Sequence, residues 1–286
     1  MSLTDLQERL SHFALQCVDT ALGRVQFRQA GPAHARHTCV LLHGIGSGSA
    51  SWLGQLEAAT LAPQDTQLLA WEAPGYGDSQ AVPDAQPLVH AYAQRLWAWL
   101  DAMHIRTPVT LVGHSLGAIM AASAAVMQAT RVEKLVLLAP AQGYGAADEA
   151  LRRQKREDRL HLLQTWGPQG LAEKRGAAML SAQAAPTLVA FVQSVMAQVH
   201  VAGYTQATHL LAQSDVLSDL QQWSGPLVVA SGRADTITPM AACQALAQAR
   251  QVAWHDLGDV GHACALEAAT AVNALLDLPA PPEVLM

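Results

Sequence analysis

Charged residues are scarce in this chain, and the patterns that mark nucleic-acid-binding, membrane or metal proteins are missing. Only 14% of the 286 residues are charged and the net charge is −6; with no basic tail or repeat, this argues against a nucleic-acid partner. No apolar run approaches about 18 residues, so no membrane span or membrane partner is expected. The four cysteines are scattered, without C-x-x-C spacing or nearby histidines. They indicate reduced, small apolar residues, and we expect no disulfide and no metal site.

Nucleotide-binding and export signals are also missing. The glycine-rich segment 43–48 lacks both the Gly-Lys-Ser/Thr of a P-loop and the G-x-G-x-x-G dinucleotide fingerprint, so we expect no cofactor. The first ten residues have the pattern of a polar amphipathic helix, without the charged and then apolar order of a signal peptide. Half of the residues are hydrophobic, which favours a sizeable core over disorder. We therefore expect a cytoplasmic protein whose partner is a small-molecule substrate, and its oligomeric state stays open.

Short apolar runs alternate with helical patterns through much of the chain. Strand-like runs occupy residues 37–42, 66–71, 108–112, 131–138, 226–231 and 251–257. Their alternation with helices predicts an α/β fold, with a mostly parallel central sheet flanked by helices. Between 141 and 223 we find only helical patterns. We expect a core of residues 1–140 and 224–286 and a helical lid of 141–223, inserted at a strand's carboxyl end, where open α/β sheets bind ligands.

The sequence Gly113-His114-Ser115-Leu116-Gly117 matches the G-x-S-x-G nucleophile elbow. An apolar strand pattern precedes it and a run of small and apolar residues with a helical pattern follows it, as this motif requires. Glycine at 113 and 117 removes side chains that would clash in so tight a turn. The hydroxyl of Ser115 would then lie at the head of a helix, where free N–H groups stabilise negative charge. Ser115 is the predicted nucleophile.

A serine hydroxyl needs a base, and the base needs an acceptor that fixes its tautomer. Of the twelve histidines, His262 follows the last predicted strand and so lies at the same sheet edge as Ser115. Asp235 follows the preceding strand at that edge, whereas the loop after Leu138 offers no acid. The chain order of serine, aspartate and histidine is that of hydrolases with a nucleophile elbow. We predict a catalytic triad of Ser115, Asp235 and His262.

A tetrahedral oxyanion needs two preorganised donors. The first is expected to be the backbone N–H of Leu116, which follows the nucleophile. The second is expected in the His43-Gly44-Ile45 loop, with the N–H of Ile45 favoured and that of Gly46 as the alternative. His43 is expected to brace this loop and not to act as a second base.

Taken together, these motifs resemble those of the alpha/beta-hydrolase superfamily over the whole chain apart from the lid. The matching segments are His43-Gly44-Ile45-Gly46, Pro74-Gly75-Tyr76-Gly77-Asp78-Ser79, Gly113 to Gly117, Gly232 to Asp235 and Gly261-His262. The resemblance implies acyl transfer to water through an acyl-enzyme on Ser115. Within the superfamily the loop 43–52 is similar to that of bacterial esterases, enol-lactonases and meta-cleavage-product hydrolases.

Two differences from the sequence pattern of meta-cleavage hydrolases favour a small carboxylic ester or (enol-)lactone as substrate. Meta-cleavage hydrolases tend to carry Trp or Phe after the catalytic histidine and Asn-Ser-Met-Gly at the elbow, whereas this chain has Ala263, His114 and Leu116. A carbon–carbon bond hydrolase of a ring-fission product is the alternative. A non-catalytic small-molecule-binding module of the same fold is the second alternative, against which the intact triad counts.

The predicted lid offers an apolar wall and a basic segment. We expect one or two of five lid side chains at the substrate, namely Trp166, Met179, Phe191, Met196 and Tyr204. Five basic residues stand among acidic ones: Arg152, Arg153, Lys155, Arg156 and Arg159. They are interpreted as partners on a solvated helix face, with a carboxylate clamp as the alternative.

Overall fold

A computed structural model of the protein describes residues 1–33, 35–62 and 65–282. Its centre is an eight-stranded sheet in the order β1-β2-β4-β3-β5-β6-β7-β8. The strands are β1 (Gln16–Val18), β2 (Val25–Ala30), β3 (His37–Leu42), β4 (Thr66–Trp71), β5 (Val109–His114), β6 (Val132–Leu138), β7 (Leu227–Ser231) and β8 (Trp254–Asp256). The β1–β2 and β2–β4 pairs are antiparallel, and all other neighbours are parallel. The predicted α/β class with a mostly parallel sheet is confirmed.

Helices cover both faces of this sheet. They are α1 (Leu3–Ser11), α2 (Leu53–Leu61), α3 (Val89–Ala102), α4 (Leu116–Met127), α5 (Glu149–Arg175), α6 (Pro186–Met196), α7 (Val201–Gln213), α8 (Val216–Gln222), α9 (Met240–Ala249), α10 (Cys264–Glu267) and α11 (Ala269–Leu275). One apolar layer joins α3 and α4 to the sheet, and a second joins α2, α10 and α11 to its other face. Central strands are buried on both sides in consequence, β5 along its whole length. None of the helices described could cross a bilayer, given their length and polarity.

The strand order reverses direction at the middle of the sheet. From β3 the chain first goes to β4 on one side and then to β5 on the other, with Leu42 of β3 beside Gly113 of β5. The loops that leave these two strands therefore separate and open a crevice between them. Such a switch point is where open α/β sheets bind ligands, and it lies between the His43–Gly46 loop and Ser115.

Helices α5 to α8 lie in the sequence between β6 and β7, and the longest of them is broken. Gly167 has φ 62° and ψ 179° inside α5, a backbone conformation that is open almost only to glycine. Pro168 follows as the first residue of the second segment, a position that suits its fixed φ and missing N–H. Helix α5 therefore consists of residues 149–166 and 168–175, which run in different directions.

Replacing Gly167 by alanine is expected to lower the free energy of unfolding by about 1–3 kcal/mol, the cost of a side chain in this backbone region. Because no atom of the described residues outside the adjoining helix backbone lies within 4 Å of the added Cβ, the loss would come from backbone strain and not from a clash. This loss of free energy of unfolding is measured by urea denaturation monitored by circular dichroism. The control Gln164→Ala, at an exposed position of the first segment, is expected to change stability by less than about 0.5 kcal/mol; equal values for both variants would contradict this account of the break.

Candidate active site

Ser115 occupies a strained turn between β5 and α4. Its backbone has φ 53° and ψ −116°, in the left-handed region that residues with a side chain rarely adopt. A Cβ on Gly117 would collide with the carbonyl oxygen of Leu42, and one on Gly113 would collide with Gly117. The two glycines therefore permit the turn, as expected for a nucleophile elbow. The Ser115 N–H donates to the carbonyl of Leu138 at 3.0 Å, which ties the turn to β6.

Ser115 borders a cavity of about 310 Å³ at the switch point. His262 also borders it, and so do Ile45, Gly46 and Leu116 from the two oxyanion segments. The hydroxyl of Ser115 and Nε2 of His262 form no hydrogen bond to any residue in the ranges described. Hydrogen bonds between catalytic groups are often long or poorly aligned before substrate binds, so the two residues are assigned to one site by the cavity that they share.

Asp235 and His262 form a buried pair behind the cavity. Nδ1 of His262 donates to Oδ2 of Asp235 at 2.9 Å, and the two residues are 1% and 4% exposed. Asp235 follows β7 and His262 follows β8, which are neighbouring parallel strands. Their carboxyl ends lie at one sheet edge and bring together two residues that are 27 positions apart in sequence. With Nδ1 engaged by the carboxylate, Nε2 is the nitrogen left to accept a proton.

Thr238 completes the surroundings of this carboxylate. Its hydroxyl donates to Oδ2 of Asp235 at 2.7 Å and lies 3.1 Å from Nδ1 of His262. The backbone N–H groups of Ile237 and Thr238 donate to Oδ1 at 2.8 and 2.9 Å. Burial alone would raise the pKa of Asp235, but the hydrogen bond and charge of His262 and the donors of Thr238 hold it below its usual value. Asp235 is thus kept as a carboxylate, the form that orients an imidazole and stabilises its cation.

Two further histidines adjoin the site as neutral rings. Nδ1 of His43 donates to the carbonyl of Gly44 at 2.8 Å, and its Nε2 accepts the N–H of Ala73 at 3.0 Å. Burial lowers the pKa of His43. Nε2 of His114 donates to the carbonyl of His262 at 2.7 Å, and burial together with the nearby His262 lowers the pKa of His114 to about 3. Both rings therefore support loops, which is the role expected of His43.

The two expected oxyanion donors face the cavity from different elements. Leu116 is the first residue of α4, and Ile45 lies in the loop after β3. Neither backbone N–H donates a hydrogen bond to another backbone group in the part of the chain described. Free N–H groups near the start of a helix stabilise an anion. The arrangement can accept a developing negative charge beside Ser115.

The loop that holds His262 is anchored by Glu267 in α10. Its carboxylate accepts the N–H of Gly261 at 2.8 Å and the N–H of Ser181 at 3.0 Å, and the Ser181 hydroxyl donates to it as well. In addition, the N–H of Ala263 donates to the carbonyl of Met179 at 2.7 Å. The loop is therefore fixed on both sides of His262, to α10 and to the segment between α5 and α6.

Glu267→Gln is expected to lower the free energy of unfolding by about 1–2 kcal/mol, because an amide has one acceptor oxygen and this site presents three donors. Thermal unfolding followed by circular dichroism measures the loss. Glu173→Gln, exposed on α5, is the matched control. A Glu267→Gln variant as stable as its control would show that these hydrogen bonds do not anchor the loop.

The structure brings together some of the predicted pocket side chains and separates others. Met179, Met196 and Tyr204 border the cavity. Phe191 does not: it is 1% exposed and packs into the apolar layer of α2. Trp166 does not border it either, and lies under the ammonium of Lys174. An aromatic residue in an amphipathic helix can face the core or the ligand, and the hydrophobic pattern alone does not distinguish the two.

Sequence reasoning missed three residues of this site, namely Thr238, Glu267 and Arg175. Thr238 follows Asp235 by three residues, and a hydroxyl at that spacing from an aspartate is a common turn partner. For Glu267 no sequence signal was available. Arg159 and Arg175 border the cavity, and their proximity depends on the break in α5, for which Gly167-Pro168 was the signal.

No group of three or more histidine, cysteine, aspartate or glutamate side chains suited to a metal ion occurs in the described ranges. The cavity lining around Ser115 is mostly apolar, with few polar groups. Such a lining is typical of a pocket for a small organic molecule. Ser115 and His262 are among the polar groups that it contains, together with the guanidinium groups of Arg159 and Arg175.

Comparison with protein families gives a match over most of the chain. The model of a family described as the alpha/beta hydrolase family matches residues 39–275. Among curated proteins, (E)-2-((N-methylformamido)methylene)succinate hydrolase of Acinetobacter baylyi is 26% identical over 209 residues, which cover 68% of this chain and 72% of that protein. Abhydrolase domain-containing protein abhd-5.2 of Caenorhabditis elegans is 31% identical over 109 residues, 37% of this chain, and the match spans only 24% of that protein's length.

Solved structures share the fold. An esterase from Thermogutta terrifontis superposes with a TM-score of 0.79 at 20% identity and covers 92% of this chain and 97% of its own. The enol-lactonase from Burkholderia xenovorans gives the same TM-score and identity over 92% and 98% of the two chains. At this level of identity the likeness establishes a common fold.

Proposed function

The chain belongs to the alpha/beta hydrolase family and is a hydrolase, and from that premise we propose that it is a serine hydrolase of small carboxylic esters or (enol-)lactones. The observation that carries the proposal is the arrangement of three groups at one cavity. Ser115 lies at an elbow, His262 borders the same cavity, and Oδ2 of Asp235 lies 2.9 Å from Nδ1 of that ring. This is the set of roles that activates a serine hydroxyl.

In the proposed first step, Nε2 of His262 takes the proton of the Ser115 hydroxyl as Oγ attacks the ester carbonyl. The carbonyl oxygen becomes an oxyanion that accepts the N–H groups of Leu116 and Ile45. The tetrahedral intermediate then collapses, the bond to the alcohol oxygen breaks, and His262 gives its proton to that oxygen. Each oxyanion donor contributes roughly 3 kcal/mol to transition-state stabilisation.

In the second step, water replaces the alcohol. His262 removes a proton from the water, hydroxide attacks the acyl carbonyl, and Ser115 leaves with the proton returned by His262. The carboxylate of Asp235 stays ionised throughout and stabilises the imidazolium that forms in each half-reaction. The products are a carboxylic acid and an alcohol, or a single hydroxy or keto acid when the substrate is a lactone.

We further propose that residues 141–223 act as a lid over the core formed by 1–140 and 224–286. Met179, Met196 and Tyr204 from this part of the chain border the cavity opposite Ser115. Gln206 of α7 donates to the carbonyls of Val82 and Asp84 at 2.8 and 2.7 Å. These contacts support a lid that supplies substrate contacts while it stays attached to the core.

Turnover of p-nitrophenyl acetate and butyrate tests the proposal, with a ring-fission dienoate as a parallel substrate. We expect hydrolysis of the esters and loss of activity after treatment with a fluorophosphonate that labels Ser115. Hydrolysis of the dienoate without ester turnover would instead favour carbon–carbon bond hydrolysis. No turnover of either, together with retained ligand binding, would favour a non-catalytic binding module.

A further inference from the structure

Two guanidinium groups line the cavity that contains Ser115. Arg159 and Arg175 are half-buried and border this cavity. In the part of the chain that the structure describes, neither lies within 4 Å of a carboxylate. Nη1 of Arg159 lies 3.4 Å from the hydroxyl of Tyr204, which leaves its remaining N–H groups without an anionic partner. Cations that are partly withdrawn from water are stabilised by an anionic partner, so two half-buried guanidinium groups at one cavity indicate an anion that is supplied from outside.

The break in α5 brings these two arginines together. Sixteen positions separate them, which on a straight helix would correspond to about 24 Å along the axis. Because the helix changes direction at Gly167, both side chains border the same cavity and also an adjoining recess of about 190 Å³. The irregularity in the helix therefore creates a charged wall that a regular helix would not have.

Arg152, Arg153 and Arg156 of α5 do not share this placement. Arg152 pairs with Glu149 at 2.7 Å, and Arg156 lies 3.8 Å from Glu157. Arg153 is exposed and does not border the cavity. The expected solvated helix face describes these residues, whereas Arg159 turns inward.

The recess next to the cavity adds further charges. Lys155 and Asp158 border it together with Arg159 and Arg175, so three cations face one anion there. The hydroxyls of Tyr144 and Tyr204, which line both spaces, are neutral donors. This excess of basic over acidic side chains favours an anionic group in the recess.

We propose that Arg159 and Arg175 form an anion subsite that binds a carboxylate carried by the substrate. The substrate is then an ester or lactone with a free carboxylate in its acyl or its alcohol portion. The planar fork of each guanidinium matches the two oxygens of a carboxylate. This inference rests on the proposed function, because it takes Ser115 as the group that reacts with the other end of the same molecule.

Two ester pairs test the subsite, because the members of each pair differ only in a carboxylate. The p-nitrophenyl monoester of adipic acid is compared with p-nitrophenyl hexanoate, and 4-acetoxybenzoate is compared with p-tolyl acetate. The quantity measured is kcat/KM for the charged ester divided by kcat/KM for the neutral one, after subtraction of spontaneous hydrolysis. Comparing this ratio between variants cancels differences in intrinsic reactivity and in the fraction of folded enzyme.

The double variant Arg159→Met/Arg175→Met is expected to lower the ratio about 10- to 100-fold in at least one pair, mainly through KM, since charge-assisted hydrogen bonds are lost. Arg153→Met, on the same helix but away from the cavity, is expected to leave the ratio within about twofold. A double variant whose ratio stays within twofold of the parent in both pairs would overturn the subsite.

Binding without turnover separates this inference from the proposed function. In the Ser115→Ala background, calorimetry is expected to show adipate binding that weakens at least about tenfold when both arginines are replaced. If the parent enzyme hydrolyses none of the four esters, the proposed function fails, while adipate binding still supports or overturns the subsite. If the esters are hydrolysed but neither the ratio nor adipate binding responds to the arginines, the proposed function stands and the subsite is overturned.

Discussion

Replacing Ser115 by alanine is expected to lower kcat for p-nitrophenyl butyrate by about 10⁴- to 10⁶-fold. The reason is that no acyl-enzyme can form, and the remaining cavity can only position water and stabilise the oxyanion. KM is expected to change little, because the hydroxyl contributes to the transition state far more than to ground-state binding.

Ser123→Ala is the matched control for this prediction. It is the same substitution within α4, the helix that follows Ser115, at a buried position that does not border the cavity. Its activity is expected to match that of the parent. Equal turnover by the Ser115→Ala variant and the parent would contradict the serine mechanism. The assignment of the fold would still hold.

Replacing Asp235 by asparagine is expected to lower kcat by about 10⁴-fold with little change in KM. The amide cannot stabilise the imidazolium, and its NH₂ group favours the tautomer of His262 that carries its proton on Nε2. That nitrogen could then no longer accept the proton of Ser115. Two backbone donors and one hydroxyl surround this carboxylate, so an amide also loses hydrogen bonds here.

Asp19→Asn is the matched control for the aspartate prediction, because its side chain is 77% exposed and pairs with Arg24 in a turn at the edge of the sheet. Kinetics of both variants should be measured with thermal unfolding, so that loss of folded protein is separated from loss of chemistry. A folded Asp235→Asn variant that retains more than a tenth of the parental kcat would show that another acid orients His262.

Much of the fold was predictable from the sequence because the strands carry a direct signal. The runs at 37–42 and 66–71 coincide with β3 and β4, since buried parallel strands are short, continuous apolar segments. The final helix was less accessible. The run of mostly apolar residues at 263–276 has the pattern of a single helix, whereas the structure has α10 and α11, separated at Ala268 with φ −120° and ψ 40°. Nothing in that apolar run indicates where the helix is interrupted.

The candidate site was predictable where it depends on strand ends and not where it depends on helix directions. Ser115, Asp235 and His262 each follow a strand of one parallel sheet, so topology alone brings them to one edge. Arg175 comes to that edge only because α5 changes direction, and a helical pattern carries no information on where such a helix points. The proposed reaction was thus accessible from the sequence, whereas the placement of Arg175 in the proposed anion subsite required the structure.

The central claim is that the hydroxyl of Ser115 becomes acylated during turnover. The most direct test is to let the enzyme react with p-nitrophenyl butyrate and to quench the reaction with acid during the first turnovers. The protein is then digested and its peptides are analysed by mass spectrometry. The account predicts one butyryl group, located on Ser115 in the peptide that contains it and absent from the Ser115→Ala variant. Full ester turnover with an unmodified Ser115, or with the butyryl group on another residue, would contradict it.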